Sequence, residues 1–340
     1  MIIKVFIALF YKDFYYKMKK GYYMISKKEA IEKYKNMSYI RCDDDGTAYF
    51  FTCKDFPGLK QENYSFTSSL GHKLQGYLYS YDNAIKNRVI VFDHGFGAGH
   101  TAYMKEIEKL CKNGFLVLSY DHTGCMESGG INANGMSQSL HDLDDCIKTI
   151  KKDGRFQNYD VSVIGHSWGG FSALNITALH KDIEKVVVLS GFVSVELLIE
   201  SYFGKELAKH LIELETKTNP DYVNFNGVES LKSSNAKAFL IYSDNDHLCY
   251  KNASYDILYE AFKDDSNVKL ILENGKWHNP NYTMDAVEYY LSFATLKAEL
   301  LSKNLLLTKE QKEAFKASFD WNRMTAQDEK IWNEIINWLK

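Results

Sequence analysis

Gly165-His166-Ser167-Trp168-Gly169 is the stretch on which the reading of this chain turns. It is a G-x-S-x-G pentapeptide. The apolar run Val161-Ser162-Val163-Ile164 precedes it, and Phe171-Ser172-Ala173-Leu174-Asn175-Ile176, which reads as helix, follows it. A strand that turns at once into a helix through this pattern makes a sharp elbow with the serine at its tip. A Cβ at position 165 or 169 would crowd the backbone of so tight a turn, so glycine stands there. The turn lifts the Ser167 hydroxyl out of the sheet and aims the first N–H groups of the helix at a reacting carbonyl. Gly170 lets the same helix pack close to the strand.

Working outward, the pattern repeats. Arg88-Val89-Ile90-Val91-Phe92 and Phe115-Leu116-Val117-Leu118-Ser119-Tyr120 read as buried strands before the elbow. Val186-Val187-Val188-Leu189, Ala238-Phe239-Leu240-Ile241-Tyr242 and Val268-Lys269-Leu270-Ile271-Leu272 read as strands after it. Helical patterns lie between, from Tyr103 to Asn113 and from Ser137 to Lys152, the latter with Leu140, Leu143, Ile147 and Ile150 on one face. Near-continuous apolar strands separated by helices predict an α/β fold with a mostly parallel central sheet covered on both faces. Tyr64 to Thr67 and Lys73 to Tyr79 read as a hairpin turning near Gly71.

The expected organisation is an N-terminal extension over residues 1–60 and one α/β domain over 61–340. Residues 30–60 show no clear period and are expected to pack on the domain edge as a leader. Two segments exceed the minimal alternation. Residues 191–235 carry Val195, Leu198, Ile199, Tyr202, Phe203, Leu207 and Leu211 at helical spacing and are expected to form a small helical cap. Residues 284–324 are helical in pattern and rich in Leu, Phe and Lys.

With 340 residues, 41 Lys and Arg against 44 Asp and Glu, and a formal net charge of -3, the composition favours no nucleic-acid partner. Cys42, Cys53, Cys111, Cys125, Cys146 and Cys249 form no C-x-x-C pair and no zinc-like cluster, and read as scattered free thiols of a reducing, cytoplasmic compartment. No metal and no cofactor are expected. Ile2 to Phe10 is apolar except for Lys4 and too short to span a bilayer. An export signal lacks its cleavage site there. Interfacial contact through the aromatic and Lys-rich stretch to Lys20 is the less favoured alternative. Met18 and Met24 are alternative starts.

Acyl transfer needs a nucleophile, a base, an orienting acid and oxyanion donors. His278, in Gly275-Lys276-Trp277-His278-Asn279-Pro280, follows the final strand and is the candidate base, with His247 its rival. Asp246, in Ser243-Asp244-Asn245-Asp246-His247, is the preferred acid because the loop must first leave its strand; Asp244, two residues away, is chemically equivalent. The loop His94-Gly95-Phe96-Gly97-Ala98-Gly99-His100 is the candidate oxyanion loop, with the N–H groups of Phe96 and Trp168 as donors. Its G-x-G-x-G spacing is not that of a dinucleotide fingerprint, and its histidines suit structural roles. Cys125 has no base placed for it and is not expected to be a nucleophile.

Taken in order, HGFG, DHTG, GHSWGG, SDNDH and GKWHNP resemble the motifs of the serine α/β-hydrolases, in the group that holds monoacylglycerol lipases, serine aminopeptidases and small acyl esterases. The resemblance runs from about Tyr64 to Pro280 and again over the final helix. It implies the α/β-hydrolase fold, a triad of Ser167, Asp246 and His278, and oxyanion donation by Phe96 and Trp168. It implies hydrolysis of a small-molecule carboxylic ester through an acyl-enzyme, and the aromatic and aliphatic residues of the 191–235 segment suggest an acyl or aromatic ester of modest size. Peptidase, amidase or thioesterase activity on the same triad, or a low-turnover binding protein, are the alternatives. One departure stands out: the group's loop reads D-x-x-G-x-G-x-S, and Met126 replaces the second glycine.

Overall fold

The computed structural model describes residues 25–340 apart from Lys86, so the Ile2 to Phe10 run and the stretch to Lys20 lie outside the described residues. Strands are numbered in chain order: β1 (Lys60–Asn63), β2 (Phe66–Thr67), β3 (Lys73–Leu74), β4 (Gly76–Ser80), β5 (Arg88–Asp93) and β6 (Leu116–Tyr120) precede the elbow. After them come β7 (Asp160–His166), β8 (Lys185–Leu189), β9 (Lys237–Ser243) and β10 (Val268–Glu273). The main sheet has the order β1-β4-β6-β5-β7-β8-β9-β10, antiparallel at β1/β4 and β4/β6 and parallel elsewhere. The expected hairpin is present as β2/β3, with Phe66 opposite Leu74, but β4 leaves it to join the main sheet.

The strands earn their burial by alternation. Val89 and Val91 pack on one face, with Leu140, Leu143, Ile147 and Ile150 of α3 (Gln138–Lys152) and Phe171 and Leu174 of α4 (Trp168–Leu179). Ile90 and Phe92 pack on the other, with Ile107 and Leu110 of α2 (Met104–Lys112) and Trp332 and Ile335 of α12 (Glu329–Leu339). Both faces are therefore covered by helices. Strand order places β5 and β6 on one side and sends the chain back across to β7, so the loops after β5 and β7 part in opposite directions. That divergence opens a crevice at the carboxyl ends of two adjacent parallel strands. The Phe96 loop leaves β5 there, and Ser167 leaves β7.

The 191–235 segment folds as α5 (Val195–Phe203), α6 (Lys205–Thr218) and α7 (Gly227–Lys232). The 284–324 segment folds as α9 (Met284–Ser302), α10 (Lys309–Ala317) and α11 (Trp321–Met324), with its own apolar cluster around Phe293, Phe315 and Tyr290. Helix α8 (Tyr255–Phe262) links β9 to β10.

The stretch after residue 25 differs from the expected leader. Lys27–Ser38 is a helix, α1, capped by Ser26, whose hydroxyl accepts the Glu29 N–H at 3.2 Å. Its buried residues, Ala30, Tyr34 and Ser38, recur every four positions, and the helix packs on α6 rather than on the domain edge. The contact is organised by Glu215 of α6, which is fully buried. Its carboxylate accepts the Tyr34 hydroxyl at 2.5 Å, the Met136 N–H at 2.8 Å, and the Ser137 N–H and hydroxyl at 3.1 and 2.7 Å. Burial pushes the Glu215 carboxyl up, and these donors oppose it. Every partner is a donor, so an amide in its place would turn an NH₂ against an N–H or hydroxyl. We expect Glu215→Ala to cost about 3–5 kcal/mol of stability, because two buried N–H groups lose their acceptor. Glu215→Gln should cost less, yet still lower the urea midpoint. A midpoint unchanged in both variants would contradict this role.

Candidate active site

The elbow is as tight as the pentapeptide demands. A Cβ on Gly165 would lie 1.9 Å from the Gly169 carbonyl oxygen, and one on Gly169 would lie 2.1 Å from the Asp93 carbonyl oxygen. Ser167 sits at φ 58°, ψ -110°, a region non-glycine residues seldom occupy. Its N–H donates to the Leu189 carbonyl at 2.9 Å, which ties the elbow to β8. Trp168 opens α4, so its own N–H is among those that have no partner within the helix. The Trp168 ring meets Phe96 edge to face at 4.9 Å, and its Nε1 donates to the Met136 carbonyl at 2.7 Å. The loop after β5 and the start of α4 are thus locked together.

His278 and Asp246 meet in the loops after β10 and β9. His278 Nδ1 lies 2.8 Å from Asp246 Oδ2, and both side chains are buried. The second oxygen, Oδ1, accepts the N–H groups of Leu248 and Cys249 at 2.8 and 3.0 Å. With Nδ1 donating to the carboxylate, the lone pair falls on Nε2, which is buried and has no hydrogen-bond partner among the described residues. Asp244 is exposed and its Oδ1 accepts the Gly275 N–H at 2.9 Å, so it fastens the His278 loop and does not touch the imidazole. Asn245 helps by accepting the Trp277 N–H at 2.8 Å. His247 is exposed.

The sequence did not single out the residues that hold these loops. His166 Nε2 donates to the His278 carbonyl at 2.8 Å, which leaves its Nδ1 to accept from the Tyr103 hydroxyl at 2.8 Å. Tyr103 in turn accepts the Gly95 N–H at 3.0 Å. One relay of hydrogen bonds therefore joins the elbow, the His278 loop and the Phe96 loop. Beneath it, His122 lies between Asp93 (3.0 Å) and Asp142 (3.2 Å). Burial alone would push His122 down, but the two carboxylates outweigh it and hold the imidazole at about 10, so it is charged at neutral pH. His94 takes the opposite state: burial and the neighbouring His122 charge push it down, and its Nε2 accepts the His122 N–H at 3.0 Å. The signal for Asp93 was its place at a strand end, where an acid interrupts an apolar run.

Two clefts border this centre. The one containing Ser167 is walled by Phe96, Trp168, Leu198, Ile199 and Tyr202, with Tyr34 and Met37 of α1 closing its side. Asp246, His278 and Cys249 bring a carboxylate oxygen, a ring nitrogen and a thiol within 4.8 Å of one another. Burial pushes the Cys249 thiol up, so it is a poor thiolate ligand, and the imidazole and carboxylate already share a proton at 2.8 Å. The group fits proton handling better than metal binding.

The family model described as "Serine aminopeptidase, S33" matches residues 84–276, more than half of the chain. The chain belongs to this S33 family of α/β hydrolases. Comparison with curated proteins finds no match. Among solved structures, an esterase of Pyrococcus furiosus aligns with TM-score 0.55 and 21% identity over 78% of this chain and 99% of that one. A putative dienelactone hydrolase of Klebsiella pneumoniae aligns with TM-score 0.51 and 12% identity over 83% and 98%. The α/β hydrolase GrgF of Penicillium sp. aligns with TM-score 0.50 and 16% identity over 76% and 99%. At such identities the likeness is one of fold, and the fold is the expected α/β-hydrolase fold.

Within this S33 hydrolase the Met126 departure has a backbone reading. Met126 has φ 42°, so it occupies a left-handed conformation that glycine would adopt freely. The loop keeps its course nonetheless: Arg41 donates to the carbonyls of Met126 and Gly130 at 2.6 and 2.7 Å, and the Met126 N–H donates to the Cys42 carbonyl at 3.0 Å. The segment after α1 braces the turn. No helix among the described residues is long and apolar enough to cross a membrane.

Proposed function

We propose that this hydrolase cleaves a carboxylic ester, acyl or aromatic and of modest size, through an acyl-enzyme on Ser167. The observation that carries the reading is the buried Asp246–His278 pair, whose Nε2 is left free in the loop set that also holds the strained Ser167. Ser167 Oγ attacks the carbonyl carbon while His278 Nε2 takes its proton, and Asp246 stabilises the imidazolium that forms. The N–H groups of Phe96 and Trp168 receive the negative charge on the carbonyl oxygen. His278 returns the proton to the leaving oxygen, and water repeats the two steps to free the acid.

The wall of the Ser167 cleft favours an ester over an amino-terminal peptide. It is apolar and aromatic, and none of its lining residues is an acid that would pair with an α-ammonium group. The experiment is labelling of the purified chain with a fluorophosphonate, followed by peptide mass mapping. An adduct on Ser167, together with turnover of p-nitrophenyl esters, is the expected result. No adduct and no ester turnover would sink the reading.

A further inference from the structure

The second cleft lies on the His278 side of the centre. Leu248 borders both clefts. The second cleft is open to solvent at its mouth. Tyr49, Phe51, Trp277, Tyr282, Tyr290 and Trp321 line it. Part of its wall, Tyr49, Phe51, Tyr290 and Trp321, comes from the stretch after α1 and from the 284–324 insertion, neither of which the hydrolytic steps require; most of the rest comes from the His278 loop and the start of α2.

Among the residues lining this aromatic cleft are His278, Thr101 and Lys105. His278 Nε2 and Thr101 Oγ1 are both buried without a hydrogen-bond partner among the described residues, and buried polar atoms are seldom left so. The third is Lys105, at the start of α2. Its ammonium reaches only the neutral Asn322 Oδ1, at 2.6 Å, and lies 4.5 Å from the centre of the Phe51 ring. No carboxylate lies within ion-pairing distance of it among the described residues; Glu106, Glu108 and Asp55 act on it from further away, and Lys112 opposes them. A partly buried cation over aromatic rings, with no anion of its own, is set to receive one.

We propose that this cleft binds the leaving half of the ester, an aromatic alcohol whose carboxylate pairs with Lys105. The proposal rests on the ester-hydrolase reading and extends it. In the step it assigns, the Ser167 Oγ–carbonyl bond forms and the carbonyl–aryloxy bond breaks. The proton taken from Ser167 by His278 Nε2 goes to the departing aryl oxygen, and His278 is among the residues that line this cleft. Thr101 supplies a further hydrogen bond to the bound alcohol. The acyl group remains in the cleft that contains Ser167.

The test separates binding from turnover. Ser167→Ala protein is titrated with 4-hydroxybenzoate and with phenol, followed by the fluorescence of Trp277 and Trp321. The expected result is at least about tenfold tighter binding of 4-hydroxybenzoate. Adding Lys105→Met should erase that preference, and Lys105→Arg should restore most of it. In the catalytically competent chain, the ratio of kcat/KM for 4-acetoxybenzoate over phenyl acetate should fall about tenfold on Lys105→Met. Equal affinity for the two probes, or a preference that survives Lys105→Met, overturns the proposal. If no ester is turned over but the preference for 4-hydroxybenzoate holds, the cleft assignment stands and the hydrolase mechanism falls. If esters are hydrolysed without any such preference, the reverse is true.

Discussion

Ser167→Ala is expected to lower kcat on a p-nitrophenyl ester by up to roughly a million-fold while leaving the fold intact. The alanine has no atom to form the acyl-enzyme, so both halves of the reaction are lost together. What survives comes from positioning and from the oxyanion donors, which leave a small residual rate over water. Stability should change by less than about 1 kcal/mol, since Ser167 is held through its backbone N–H on Leu189 and Ala accepts the same turn. Steady-state rates and urea melts of the two proteins decide the matter. A variant within tenfold of wild type would mean that another group carries the nucleophilic step.

Asp246→Asn should cost about 10⁴ in kcat with little change in the melt, and the hydrogen bonds around it dictate why. Oδ1 accepts two backbone N–H groups, from Leu248 and Cys249. An asparagine must keep its carbonyl oxygen there, which turns its NH₂ toward His278 Nδ1. The imidazole then accepts at Nδ1 and carries its proton on Nε2, so it has no lone pair for the Ser167 proton. The ring stays in place because His166 still holds the His278 carbonyl. Slowed fluorophosphonate labelling beside unchanged affinity for a product acid would show the wrong tautomer rather than a lost pocket. A kcat within tenfold of wild type would remove Asp246 from the mechanism, and Asp244→Asn serves as the comparison, since Asp244 only fastens Gly275.

The parts of the fold that were legible in the sequence share one physical cause. Strands β5 to β9 are buried on both faces, so each is a run of Val, Ile, Leu, Phe or Tyr that no exposed segment resembles. The elbow was legible because two glycines there leave no room for a Cβ. Strand β1 was not: Lys60, Gln61, Glu62 and Asn63 are all exposed on the sheet edge, and nothing apolar marks them. Helix α1 was missed because only Ala30 and Tyr34 are fully buried apolar residues in it, with Ile31 and Met37 half-buried, although Ser26 followed by Glu29 is the sequence signature of a helix start. Glu215 was invisible for a different reason. It stands in a helix of lysines and glutamates, next to the half-exposed run that ends at Thr218, and its burial depends on Tyr34 and Ser137 arriving from elsewhere. Polar groups brought together by tertiary packing leave no local pattern, and Lys105, His122 and Glu215 are all of that kind.

The Tyr34–Glu215 hydrogen bond also has a consequence for the order in which this protein takes shape. It joins residues 181 apart in sequence, so closing it ties the chain into a long loop that the β7–α4 elbow does not need. Strands β5 to β8 can pair with one another once residue 189 has emerged. The wall that Tyr34 and Met37 supply must wait for Glu215 of helix α6, 181 residues after Tyr34. An apolar helix face left unpartnered for that long is an exposure the nascent chain has to survive. The cleft that contains Ser167 therefore gains its last wall only after the elbow itself has formed.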